Sequence, residues 1–212
     1  MTPQEVAESY DKLAPHWDGE KFNRKNGIKQ HERALRFVKN AGRAIDIGCG
    51  SSGRIIDLLI SKGFETEGLD ISSKMLRLAK KRHPDKKFYL TDICEWDFPK
   101  KYDFISAWDS IWHAPLEYHE AILKKLCNGL NEHGILIFTS GGVDNPDERS
   151  NPFLGQPLYH AALGIPKLLE IIAQSGCTCR HLEYDQYPEG HIYFIVQRVE
   201  PDGGVTPITP PN

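Results

Sequence analysis

Apolar residues recur along this chain with two periods, and the switching between them predicts most of its secondary structure. Ala44, Ile45 and Ile47 form a short apolar run suited to a buried strand over 43–47. Comparable runs predict strands near 65–69, at Phe88–Leu90, over Tyr102–Trp108 and over Gly134–Phe138. Helical spacing fills the intervals: 3–17, 28–40 (Ile28, Leu35, Phe37, Val38), 54–62, a segment with Met75, Leu76, Leu78 and Ala79 on one face, about 115–130, and 166–175. Ser51 or Ser52 is the candidate N-cap of the helix after the first strand, and Gly63 its stop. Ser72 or Ser73 caps the next helix, which closes on Lys80, Lys81 and Arg82 at the negative end of its dipole.

This alternation of strand and helix predicts a parallel sheet covered on both faces. The last two apolar runs, Cys177–Tyr184 and His191–Arg198, have only Asp185 to Gly190 between them. That is too short for a helical crossover, so they pair antiparallel. The count becomes seven strands, five parallel with a terminal antiparallel pair.

Length and charge narrow the class. A chain of 212 residues suits a single domain. We place it at 1–200, with a helical cap at 1–40 and a disordered tail at 201–212, where proline and glycine dominate. The segment from 140 to 165 is too long for an ordinary connection and reads as a substrate lid. A net charge of −3 implies no general affinity for nucleic acid. No apolar run reaches the ~18 residues of a membrane span, and the Met1-Thr-Pro-Gln-Glu start lacks the regions of a signal peptide. The five cysteines are odd in number and include no C-x-x-C, which reads as reduced thiols in a cytoplasmic protein. Cys177 and Cys179 lack partners as metal ligands, so no metal site is expected.

The chemistry concentrates after the first strand. Gly48, Gly50 and Gly53 make a glycine-rich turn between strand and helix, and Asp70 follows at the end of the second strand. Strand, glycine turn, helix and later acid form a cradle for a nucleoside cofactor. Asp46, inside the strand, discriminates among cofactors. A carboxylate at the mouth of the cradle opposes the pyrophosphate of a dinucleotide but attracts the ammonium and sulfonium of S-adenosylmethionine.

The segment Asp46-Ile-Gly48-Cys49-Gly50-Ser-Ser-Gly53 closely resembles the first motif of the class I S-adenosylmethionine-dependent methyltransferases of small-molecule type. The resemblance covers residues 10–140 well and the remainder in outline. It implies an α/β, three-layer Rossmann-like sandwich with helices on both faces, S-adenosylmethionine as methyl donor and S-adenosylhomocysteine as product. By this resemblance Asp70 takes the ribose hydroxyls, Ile71 lies on adenine, and Asp92, with Ile93 beside it, takes the adenine amino group. Trp108 and Asp109 border the methionine portion, and Tyr10, with Trp17 less firmly, closes over the cofactor.

The implied reaction is an in-line displacement on the methyl carbon, which needs alignment and a dry site, and sometimes a base. His113 in the loop after the fourth strand is the first candidate, His191 at the start of the last strand the second, and His160 in the lid the third. Each has an ordinary structural alternative. Trp108-Asp-Ser-Ile stands where amino-methylating DNA enzymes carry Asn- or Asp-Pro-Pro-aromatic. A small-molecule acceptor and a monomer or homodimer are therefore expected. Two rival readings stay open: an NAD(P)-dependent oxidoreductase, and a non-catalytic S-adenosylmethionine-binding module.

Overall fold

The computed structural model describes residues 1–19 and 22–199. The expected tail at 201–212 lies outside them. Helix α1 (Pro3–Asp18) and helix α2 (Ile28–Leu35) precede the alternating core: β1 (Arg43–Ile47), α3 (Arg54–Ser61), β2 (Glu65–Asp70), α4 (Ser73–Arg82), β3 (Lys87–Leu90) and β4 (Tyr102–Ala107). Then come α5 (His119–Asn128), β5 (Leu130–Gly141), β6 (Asp147–Ser150), β7 (Tyr159–Ala162), α6 (Ile165–Gln174), β8 (Cys177–Tyr184) and β9 (His191–Arg198).

Seven strands form one sheet in the order β3-β2-β1-β4-β5-β9-β8. The first five run parallel, and β9 pairs antiparallel with both β5 and β8, as the short final loop requires. One face buries Ile45, Ile47, Ile105 and Leu136 against α5 and α6 through Leu123, Leu126, Leu168 and Ile172. The other buries Ala44, Phe104, Ile135 and Ile137 against α2 and α3 through Ala34, Ile55 and Leu59. Both faces being covered explains why these strands read as continuous apolar runs. Strand order reverses between β1 and β4, the position where open sheets of this kind leave a crevice beyond their carboxyl ends. Among the described residues, no helix is long and apolar enough to cross a membrane.

Four expectations are corrected. The N-cap of α3 is Gly53, at φ 69°, and not Ser51 or Ser52; no side chain caps this helix. Helix α2 ends at Leu35 rather than 40, and Phe37 and Val38 pack from the turn that follows. Helix α5 starts at His119 rather than 115, because residues 111–113 and 116–118 form two separate 3-10 turns. The lid holds a two-stranded sheet, β6 with β7, that the sequence pattern missed. All four residues of β6 are exposed, so it shows no apolar alternation. Of the two candidate caps of α4, Ser72 is the one used, accepting the Met75 N–H at 3.1 Å.

Candidate functional site

A cavity of about 390 Å³ opens over the carboxyl ends of β1, β2 and β4. Its floor is the turn after β1. Gly48 and Gly50 adopt φ of 69° and 58°, which side chains rarely tolerate. A Cβ on Gly50 would meet nothing within 4 Å, so this glycine fronts open space. The turn is fixed from beneath: the Gly48 and Cys49 N–H groups both donate to the Leu69 carbonyl.

Asp70 ties the turn to β2. Its two carboxylate oxygens accept the Gly50 N–H and the Ser72 N–H, each at 2.8 Å. Each oxygen keeps a lone pair for a further donor. Burial pushes its carboxyl up to about 6, against the pull of those backbone N–H groups. Asp92 stands on the same side, with one oxygen accepting the Cys94 N–H at 2.9 Å.

The other end of the turn carries charge of both signs. Arg54, the first residue of α3, lines the cavity and donates to the Asn26 carbonyl and to Ser52 Oγ, each at 2.9 Å. Burial draws its guanidinium down, opposed by the nearby Asp46 and Asp109. Asp109 sits at φ 51° and accepts from Asn26 Nδ2 at 3.0 Å and from His191 Nε2 at 2.9 Å. Burial would raise the Asp109 carboxyl, but His191 and Asn26 prevail and hold it below its ordinary value.

Three predicted site residues lie outside the cavity wall. Asp46 is seated behind it, because strand alternation turns its side chain toward α2 and Ser106. Ser106 donates to Asp46 at 2.7 Å, His31 Nε2 lies 3.0 Å from Ser106 Oγ, and His31 Nδ1 lies 2.7 Å from the Gly27 carbonyl. Burial lifts the Asp46 carboxyl to about 6. The charge that reaches the cavity from this region is therefore Arg54 rather than Asp46. Gly53 faces α4, where a Cβ would come within 2.6 Å of His83. His191 holds Asp185 at 2.5 Å and Asp109 at 2.9 Å, which leaves neither ring nitrogen free for a substrate.

The remaining predicted residues are brought together around one space: Tyr10, Gly48, Cys49, Gly50, Asp70 and Ile71, then Asp92, Ile93, Trp108, Asp109, His113 and His160. Trp108 doubles as a core residue, packing on Gly27, His31 and Tyr193. His113 is held in one tautomer. Its Nδ1 donates to the Tyr159 carbonyl at 2.7 Å, so Nε2 accepts the Tyr10 hydroxyl at 2.6 Å and the Trp112 indole N–H at 2.9 Å. Burial first, then His160, draws the His113 imidazole down to about 3, so it is neutral.

The sequence reading missed Phe22, Asn26, Arg54, Ser110 and Trp112 as wall residues. Arg54 left a signal: an arginine in the first turn of a helix sits at the wrong end of the dipole unless an anion faces it. Phe22 and Asn26 come from irregular chain and left none. Four buried polar atoms of residues that line this wall have no partner: Trp17 Nε1, Ser51 Oγ, Ser110 Oγ and His160 Nδ1. Unpaired buried polar groups are costly, and their gathering around one cavity marks it as a site for a polar ligand.

Comparison with known proteins agrees with this geometry. Residues 44–134 match the family described as methyltransferase domain. Trans-aconitate 2-methyltransferase of Rhodopseudomonas palustris is 29% identical over 142 residues, covering 64% of this chain and 54% of that protein. Phosphoethanolamine N-methyltransferase of Plasmodium falciparum is 27% identical over 150 residues, covering 66% and 56%. The chain thus spans about half the length of these curated relatives. An S-adenosylmethionine-dependent methyltransferase from Clostridium acetobutylicum superposes with a TM-score of 0.70 at 14% identity, covering 90% of this chain and 99% of that one. The Burkholderia thailandensis 1,6-didemethyltoxoflavin-N1-methyltransferase, solved with that compound and S-adenosylhomocysteine, gives 0.65 at 15% identity, covering 94% and 92%. These two likenesses bear on the fold.

Proposed function

We propose, from the match of residues 44–134 to the methyltransferase domain family, that this protein is a class I, S-adenosylmethionine-dependent methyltransferase acting on a small molecule. The observation that carries the proposal is the polar half of the cavity. Gly50 leaves bare backbone there, Asp70 offers free lone pairs, and the Ser51 and Ser110 hydroxyls are buried without partners. That set fits a nucleoside linked to an amino acid. Asp70 receives the ribose hydroxyls. Ile71, Asp92 and Ile93 bound the adenine. Arg54 faces the methionyl carboxylate and Asp109 the ammonium. A pyrophosphate has only Arg54 to meet it among the described wall residues, with three acids opposing, which disfavours a dinucleotide.

S-adenosylmethionine supplies an electrophilic methyl carbon on a sulfonium. The protein's own part is to orient the acceptor, exclude water and receive a proton. Tyr10 and His113 suit the last task. Tyr10 Oη takes the acceptor's proton as its own passes to His113 Nε2, whose lone pair is already aimed at it. Burial makes His113 a weak base and the Tyr10 hydroxyl a weak acid, so the proton moves only once methyl transfer has made the acceptor strongly acidic. His160 remains an alternative base, with Nδ1 free on the same wall.

The names of the curated relatives span trans-aconitate and phosphoethanolamine as acceptors, so likeness alone does not choose an acceptor. The test is incubation of the full chain with methyl-labelled S-adenosylmethionine and fractionated metabolites. Label is expected in a small-molecule product, with stoichiometric S-adenosylhomocysteine. Tight cofactor binding with no labelled product from any fraction would overturn the catalytic reading in favour of a binding module.

A further inference from the structure

The cavity divides sharply by charge. Every charged side chain on the described part of its wall, namely Arg54, Asp70, Asp92 and Asp109, belongs to the half built by the glycine turn and the ends of β2 to β4. The other half is enclosed by α1, residues 111–114 and the lid from 151 to 160. It has aromatic rings and two histidines, and no carboxylate, lysine or arginine among its described residues. Both histidines are drawn down by burial and so are uncharged. Arg149, the lid's arginine, does not line the cavity; it is exposed on β6 and paired with Asp147 at 2.6 Å.

The rings are arranged as a roof. Trp17 stacks on Phe153 at 5.7 Å between centroids and 20° between planes, which joins α1 to the lid. Phe22 meets Trp17 edge-on at 5.2 Å. Trp112 meets His160 edge-on at 5.8 Å on the facing wall. Flat apolar surfaces of this kind receive a flat apolar body. The roof is not purely apolar, however. Trp17 Nε1 and His160 Nδ1 are both buried and unpartnered, which calls for a ligand with polar atoms at its edge.

Resting on the cofactor reading above, we propose that the acceptor is an uncharged, planar ring compound bearing a ring O–H or N–H as nucleophile. Arg54 borders the roof, 5.0 Å from the Phe22 ring centroid, but its guanidinium is already bonded to the Asn26 carbonyl and Ser52 Oγ. A carboxylate or phosphate placed deeper, between Trp17, Trp112 and His160, would lose its hydration with no described cation beside it. An ammonium would meet ring faces but no described carboxylate in this half. A neutral ring meets neither penalty.

The experiment uses the full chain saturated with S-adenosylhomocysteine, whose own binding is measured first; failure at that step sinks the cofactor reading and not this one. The loaded protein is then titrated with 2-naphthol, 4-hydroxyquinoline, trans-aconitate and phosphoethanolamine. The two rings are expected to bind and to be methylated in the presence of S-adenosylmethionine, and the two anions to do neither. Phe153→Leu, which removes the lid ring stacked on Trp17, is expected to weaken ring binding about tenfold while leaving S-adenosylhomocysteine affinity within about twofold. Binding or methylation of either anion overturns the proposal. So does the absence of binding by both rings, or a Phe153→Leu variant that binds them as the wild type does.

Discussion

Replacing Gly50 by alanine separates the cost to the fold from the cost to the ligand. The residue sits at φ 58°, where a Cβ is disfavoured by ~1–2 kcal/mol. Nothing in the protein lies within 4 Å of that Cβ, so the fold loses little beyond this strain. For a domain of this size the loss corresponds to about 2–8 °C in Tm. The methyl group instead occupies the space that fronts the cofactor. Overfilling a fitted site costs ~1–3 kcal/mol, so S-adenosylhomocysteine should bind about 5–150-fold more weakly. Gly53→Ala is the control. It shares the left-handed backbone at φ 69°, but its Cβ would lie 2.6 Å from His83, outside the cavity. Thermal melts of the empty proteins and calorimetry with S-adenosylhomocysteine are the assays. Gly53→Ala should lose at least as much Tm as Gly50→Ala and keep its affinity within about twofold. Wild-type affinity in Gly50→Ala, or an equal loss of affinity in both variants, refutes the placement of the cofactor on this turn.

Other expectations follow from the same geometry. Burial holds the Asp70 and Asp46 carboxyls at about 6, above their ordinary values, so the folded protein binds these protons more tightly than the unfolded chain does. Stability of the empty protein should therefore fall as pH rises from about 4 to about 6, then level. Affinity for S-adenosylhomocysteine should rise over the same window, because ribose hydroxyls favour the ionised Asp70; Asp70→Asn should flatten that rise and bind at least about tenfold more weakly. Tyr10→Phe should lower kcat by about a hundredfold with little change in the KM for S-adenosylmethionine; an unchanged kcat removes Tyr10 from the proton path. His191 is opposed by burial but raised overall by Asp109 and Asp185. Its stabilisation is complete below the ordinary histidine pKa and is lost as pH rises through its own. His191→Gln should thus destabilise most in acid and least in alkali, and a pH-independent loss in thermal melts contradicts the ion-pair account.

The sequence was legible where one residue type satisfies one local demand. Glycines at 48 and 50 marked a turn that side chains cannot make, and Ser72 marked a helix start that only a short acceptor can cap. The terminal hairpin was legible from loop length alone. Illegible features depended on what lay across space. The side chain of Asp46 reads as part of the cradle in one dimension, but the β-strand turns it toward Ser106 and His31. The pairing of β6 with β7 rests on backbone bonds between exposed residues, which leave no hydropathy pattern. The Tyr10–His113 contact spans 103 positions. Each residue was singled out separately, one as a cap over cofactor and one as a base, and only their approach at 2.6 Å gives them a joint role.

On the proposed function, the glycine turn with Asp70 receives an adenosyl amino acid and not a dinucleotide. Calorimetric titration of the full chain with S-adenosylhomocysteine, then separately with NAD and NADP, tests it most directly. Saturable one-to-one binding of S-adenosylhomocysteine is expected, with no saturable heat from either dinucleotide. Binding of a dinucleotide that excludes S-adenosylhomocysteine, or no binding of the adenosyl compound at all, contradicts it.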